Sequence, residues 1–148
     1  MTKKIIMWTL VVMWMGVIFF FSSYNGIDST SQSKGFLYNT LGKVIDIFDK
    51  DITLHEKDLL IEKLDTPIRK VAHGCVYLIL AILICLALDN YKIDIKKLLT
   101  VAFIICVLYA ISDEIHQTFI DGRSGEIKDV FIDSIGVSLG LLLYKKCK

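Results

Sequence analysis

The stretch VAHGCVYLILAILICLAL, residues 71–88, decides the fold, because it is apolar apart from His73 and long enough to cross a ~30 Å hydrocarbon core as a helix. It opens after Thr66-Pro67, an N-cap and first-turn pair that predicts a helix start near Arg69, and it ends at Asp89-Asn90. Upstream, Ile5 to Phe21 is uncharged and follows Lys3 and Lys4. No A-x-A site follows this run, and Trp8 and Trp14 lie within it, so it reads as an uncleaved first span rather than a signal peptide. Downstream, Leu98 to Ile111 is too short alone. The helix is expected to continue through Ser112-Asp113-Glu114-Ile115-His116-Gln117 to Phe119, which takes charged residues into the span. The fourth run, Val130 to Tyr144, has Asp133 near its start and is closed by Lys145, Lys146 and Lys148.

The expected architecture is an all-α membrane protein, a four-transmembrane-helix bundle with spans at about 5–21, 69–88, 97–119 and 129–144, forming one domain over residues 1–148. Composition agrees: 54% of residues are hydrophobic and mean hydropathy is +0.57, with a single proline. A net charge of +1 gives no reason to expect a nucleic-acid partner. Cys75, Cys85, Cys106 and Cys147 show no CxxC spacing, and the first three fall in apolar runs where cysteine acts as a small packing hydrophobe.

The connection 22–68 is polar yet patterned. Phe36, Leu37, Leu41, Val44, Ile45 and Phe48 recur at spacings of three and four, which predicts one amphipathic helix. Thr53-Leu54-His55-Glu56 is a capping box that announces a second, with Leu54, Leu59, Leu60 and Leu64 behind it. Both are expected to lie along the membrane surface or over the bundle mouth. His55 reads as a solvated residue without a role.

Four spans place both termini and the loop 89–97 on one side. Those segments hold Lys3, Lys4, Lys92, Lys96, Lys97, Lys145, Lys146 and Lys148, against only Asp89 and Asp94. Counted from Ser22 to Lys70, the first connection has seven basic residues diluted by eight acids, so the positive-inside rule predicts cytoplasmic termini and an extracytoplasmic 22–68. The start of span two, the end of span three and the start of span four then share the outer surface. Arg69, His73 and Tyr77 repeat at i, i+4, i+8; Asp113, His116 and Gln117 share a face; Asp129, Asp133, Gly136 and Gly140 make a third stripe. Gly136-x-x-x-Gly140 would admit a close helix neighbour.

Ionisable residues at membrane depth cost ~2.5–3.5 kcal/mol each at the bilayer centre and less near the interface, so some benefit must offset them. One reading is structural: Arg69 and Arg123 pair with Asp113, Glu114, Asp129 or Asp133 and hold the bundle together. The other is a cup for a ligand or reaction, formed by Arg69, Lys70, His73, Tyr77, Asp113, Glu114, His116, Gln117, Arg123, Asp129 and Asp133.

The motifs RKVAHGCVY at 69–77, SDEIHQTFIDGRSGEIKDV at 112–130 and DSIGVSLG at 133–140 resemble the VanZ-like membrane proteins. Asp133 stands where that family commonly has Asn, and Tyr24 where a glutamine is expected near FSS at 21–23. The resemblance implies a bacterial plasma- or inner-membrane protein whose namesake is associated with resistance to the lipid-tailed glycopeptide teicoplanin. It names no reaction.

Two functions compete. In the first, the outer face engages a membrane lipid or lipid-tailed envelope ligand, with Arg69, Lys70, Arg123 and Lys128 suited to a phosphate or carboxylate. In the second, the protein is an intramembrane hydrolase or transferase, with His73, Glu114, His116 and Asp129 as candidate acid/base groups. Glu114 and His116 point about 200° apart on an ideal helix, which is not the geometry of a two-ligand metal motif. No metal or other cofactor is therefore expected. Ser112 and Ser124 read as helix-end or turn hydrogen-bonders rather than nucleophiles. A transporter is less suited to four short spans without an inverted repeat. The oligomeric state has no signature in the sequence.

Overall fold

The structure, a computed structural model, describes residues 2–23, 35, 39, 53–120 and 125–148, and the expected amphipathic helix at 36–48 lies outside them. Among the described residues four long helices are formed, α1 (Thr2–Ser22), α2 (Leu54–Asp89), α3 (Ile95–Gln117) and α4 (Ile127–Cys147), and no strand. They alternate in direction. At one end α1 begins, α2 meets α3 and α4 finishes; at the other lie the end of α1, the middle of α2, the end of α3 and the start of α4.

The largest departure from the sequence reading is α2. Thr53 caps it, accepting the Glu56 amide on its side chain while Glu56 accepts the Thr53 amide at 3.0 Å, so a full capping box starts the helix well before Pro67. The short helix and the second span are thus one helix of 36 residues, about 54 Å long at 1.5 Å per residue. Pro67 is inside it. A proline there removes the bond to the carbonyl four residues earlier, but both Pro67 and Lys63 are exposed, so the freed carbonyl can be hydrated. A start near Arg69 is therefore corrected: the upstream cap outweighs the proline signal. Helix α3 ends two residues before the expected Phe119, its last turn closed by the Thr118 amide.

By length and apolarity α1, α2 and α3 can each cross a membrane. Helix α4 has 21 residues but carries Lys128, Asp129, Asp133, Lys145 and Lys146 and does not meet that standard. Its hydrophobic side chains are divided between a core formed with Val137 and Leu141 and an outward face with Ile135, Leu139, Leu142 and Leu143 exposed.

Helix α4 lies tight against α2. A Cβ on Gly136 would run into the Gly74 backbone, and one on Gly140 would stand 2.5 Å from the Leu78 carbonyl oxygen. The close approach allowed by Gly136-x-x-x-Gly140 is thus made by α2. Below it, Tyr77, Leu80, Ala81, Ile84, Leu98, Ala102, Ala110 and Val137 are all fully buried. Cys85 and Cys106 belong to this core, whereas Cys75 is exposed and packs nothing there. Helix α1 is tied on by polar contacts: the Trp14 indole N–H donates to the Val76 carbonyl at 3.0 Å, and the Tyr109 hydroxyl to the Met15 carbonyl at 2.6 Å. At the end holding both termini, the Trp8 indole N–H donates to the Tyr91 hydroxyl at 3.2 Å, and Lys148 pairs with Asp89.

Candidate functional site

At the opposite end, all four helices wall a cavity of about 380 Å³. Helix α1 contributes Ile18 and Phe21; α2 contributes Thr66, Arg69, Lys70, Ala72, His73 and Val76; α3 adds Glu114 and Gln117; α4 adds Asp129, Ile132 and Asp133. Helical periodicity explains the α2 set, since 66, 69, 70, 73 and 76 fall on one stripe.

The deepest polar contact joins α2 to α4. His73 Nδ1 lies 3.3 Å from Asp133 Oδ1 and 3.4 Å from Oδ2, and Asp133 is 1% exposed. A carboxylate only accepts, so Nδ1 carries the hydrogen and shares it between the two oxygens. Nε2 is then the ring nitrogen open to the cavity, and among the described residues nothing pairs with it.

Nearer the mouth, Lys70 Nζ lies 2.5 Å from Asp129 and 3.4 Å from Glu126. Arg69 stands 4.0 Å from Asp65, one turn earlier on its own helix. The structural reading offered Asp129 as one of four possible partners of Arg69 and Arg123; among the described residues it is Lys70, beside Arg69, that pairs with it. Glu126 and Asp65 escaped the sequence reading because each lies outside the stripes that drew attention. The only available signal for Asp65 was its i, i+4 spacing to Arg69.

Glu114 is 7% exposed and accepts the Glu126 amide through Oε2 at 2.9 Å, which fastens the end of α3 to the start of α4. Gly125 lies so close to the same turn that a Cβ would be 2.7 Å from both the Glu114 carbonyl oxygen and Thr118 Cγ2. Asp113, 3% exposed, accepts from Gln117 Nε2 at 3.2 Å through one oxygen, while its other oxygen has no partner among the described residues. Tyr77 is fully buried one turn below His73, ring centroids 5.9 Å apart, and its hydroxyl is likewise without a partner there.

His116 faces elsewhere. Its ring stacks on Phe19 at 4.3 Å, and Nε2 is 3.2 Å from Ser23 Oγ. Ser23 already donates its one hydroxyl hydrogen to the Phe19 carbonyl at 2.7 Å, so His116 Nε2 must be the donor. This histidine secures the end of α1. Of the expected site residues, Arg69, Lys70, His73, Glu114, Gln117, Asp129 and Asp133 line the cavity, Asp113 and Tyr77 are buried, and His116 holds α1. Arg123 lies outside the described residues. Among those described, no three His, Cys, Asp or Glu side chains are grouped to hold a metal ion.

Three membrane-length apolar helices around a cavity lined by both apolar and ionisable side chains define the class, a helical membrane protein with an ionisable cluster at one end of its bundle. The family is also defined: the model described as VanZ/LLP1 matches residues 7–148, and the chain belongs to that family. No curated protein and no solved structure matches it.

Proposed function

We propose that this is a bacterial four-span membrane protein with cytoplasmic termini, whose cavity opens at the outer face and receives the headgroup of an envelope amphiphile. One observation carries the reading: a single cavity is walled both by Ile18, Phe21, Val76 and Ile132 and by Arg69, Lys70, His73, Glu114 and Asp129. An amphiphile needs both kinds of wall, an apolar one for the tail's first carbons and a polar one for the head. Membership of the VanZ/LLP1 family supports the setting, and teicoplanin, lipid-tailed and ionised, is the ligand the family name suggests.

A phospholipid with a photoreactive diazirine on the first carbons of one tail tests this in membranes. Crosslinks concentrated at Ile18, Phe21, Val76 and Ile132 are expected. Labelling spread evenly over outward residues such as Val12, Met13 and Phe103 would mean ordinary boundary lipid and no site.

The enzymatic reading has its own support in the His73–Asp133 pair. A buried carboxylate fixing Nδ1–H leaves Nε2 as a base facing the cavity, the arrangement by which imidazole takes a proton from water or a hydroxyl. Turnover decides between the two: mass spectrometry of the amphiphile recovered after incubation detects conversion by an enzyme and unchanged ligand from a binder.

A further inference from the structure

We infer that the deep end of this cavity is a subsite for a primary ammonium group, so that the preferred amphiphile carries an amine as well as an anionic group; this rests on the amphiphile reading above. The argument begins with what is already paired. At the mouth Lys70 neutralises Asp129, and Arg69 lies beside Asp65. Deeper in, Glu114 and Asp133 line the wall with Asp113 buried behind them, and among the described residues His73 is the one basic group set against these three carboxylates. The interior is thus short of positive charge.

The hydrogen-bond inventory points the same way. Glu114 uses Oε2 for the Glu126 amide, and among the described residues its Oε1 has no partner although the side chain is more than nine-tenths buried and lines the cavity. In the neutral ring with Nδ1–H committed to Asp133, His73 presents Nε2 as an acceptor. Two acceptors at this depth, backed by three carboxylates, suit a ligand that brings several N–H groups. An ammonium has three and a compensating charge. A trimethylated ammonium brings the charge without donors, and a glycerol headgroup brings donors without the charge. Phosphate or carboxylate on the same ligand would then sit against Arg69 and Lys70 at the mouth.

The test is native mass spectrometry of the full chain released from mixed micelles holding equal amounts of palmitoyl-oleoyl phosphatidylethanolamine, phosphatidylcholine and phosphatidylglycerol. The ethanolamine lipid should be retained about fivefold or more over either of the others. In Glu114→Gln, which still accepts the Glu126 amide, that preference should fall to about twofold or less. His73→Phe is the second variant, should Glu114→Gln fold poorly, and it should lower the preference in the same way. Retention of all three lipids equally, or preference for the glycerol lipid, overturns the amine subsite and leaves the amphiphile reading standing. Retention of no lipid at all overturns both. A preference unchanged in both variants places the amine elsewhere and also overturns the inference.

Discussion

Asp133, almost fully enclosed on α4, is held by His73 on α2 at 3.3 Å, and this pair bridges the tightest helix crossing in the bundle. His73 lies one residue before Gly74, whose backbone Gly136 approaches, so the hydrogen bond and the close packing fix the same register. Removing the imidazole leaves a buried carboxylate without its donor. His73→Leu should therefore destabilise the protein by about 1–3 kcal/mol, measured by reversible unfolding in mixed micelles. The double variant His73→Leu/Asp133→Leu should recover part of that loss, because neither polar group is then left alone. Additive losses would show that the two residues act independently.

The crossing itself gives a steric prediction. Gly136→Ala would place a methyl group against the Gly74 backbone, and backbone cannot rotate aside as a side chain can. An overpacking cost of about 1–3 kcal/mol is expected. Gly16→Ala is the control, since nothing lies within 4 Å of a Cβ there. Equal stabilities for the two variants would contradict the crossing.

What could be read in the sequence depended on whether the signal was local. The capping box at Thr53 needs only four residues and is formed as written. Pro67 misled because its effect depends on the surroundings: preceded by a capped helix and exposed to solvent, it is carried inside α2 rather than starting it. Periodicity picked out His73 and Asp133 as members of stripes, but their pairing depends on which helices are neighbours and how they are rotated. Gly136 and Gly140 suggested a close partner without naming it, and Gly74, which lies on the other side, has no GxxxG companion to mark it. His116 shared a stripe with Asp113 and Gln117, yet α1 passes close enough for it to stack on Phe19 instead.

Protonation should loosen the first turn of α2. The Thr53 amide and hydroxyl bonded to Glu56 hold its carboxyl below the ordinary value of 4.5. A depressed folded-state value means the contribution is complete above the unfolded value and is lost as pH falls through the folded one. Helical chemical shifts of residues 54–57 should therefore hold at neutral pH and decay only as pH falls below the ordinary glutamate value. In Glu56→Gln the shifts should show no such step, because the amide keeps a capping oxygen without titrating.

Membrane orientation is decided by labelling single cysteines with an impermeant thiol reagent, in a background lacking the native four. Ser31→Cys and Leu54→Cys, on the long connection and at the start of α2, should react in intact cells. Lys92→Cys, in the turn between α2 and α3, should react only after the membrane is opened. The reverse pattern would turn the cavity towards the cytoplasm and remove the basis for an outer-leaflet ligand.

Tolerance to teicoplanin in a susceptible host should depend on the cavity residues and not on charge at the other end of the bundle. Glu114→Gln, His73→Phe and Asp129→Asn alter groups that line the cavity, whereas Lys97→Ala removes a charge near the start of α3, at the opposite end. Arg123→Ala belongs in the same series on its sequence position alone, and His116→Ala separates the cavity from the fastening of α1, since it should act through Phe19 and Ser23. Each cavity variant is expected to lower tolerance about tenfold, the equivalent of 1.4 kcal/mol of lost interaction, with Lys97→Ala unchanged. Abundance must be measured alongside, because losing a partner from a buried charge pair destabilises by ~3–5 kcal/mol and would reduce tolerance simply by removing protein. Glu114→Gln is the most informative member, as it can retain the hydrogen bond to Glu126 at nearly constant size while removing the charge and the second acceptor facing the cavity. Lower tolerance at normal abundance and unfolding midpoint assigns the effect to the site. Parallel loss of tolerance and abundance assigns these residues to holding the helices together. Full tolerance in all the cavity variants at normal abundance would exclude the cavity from the phenotype.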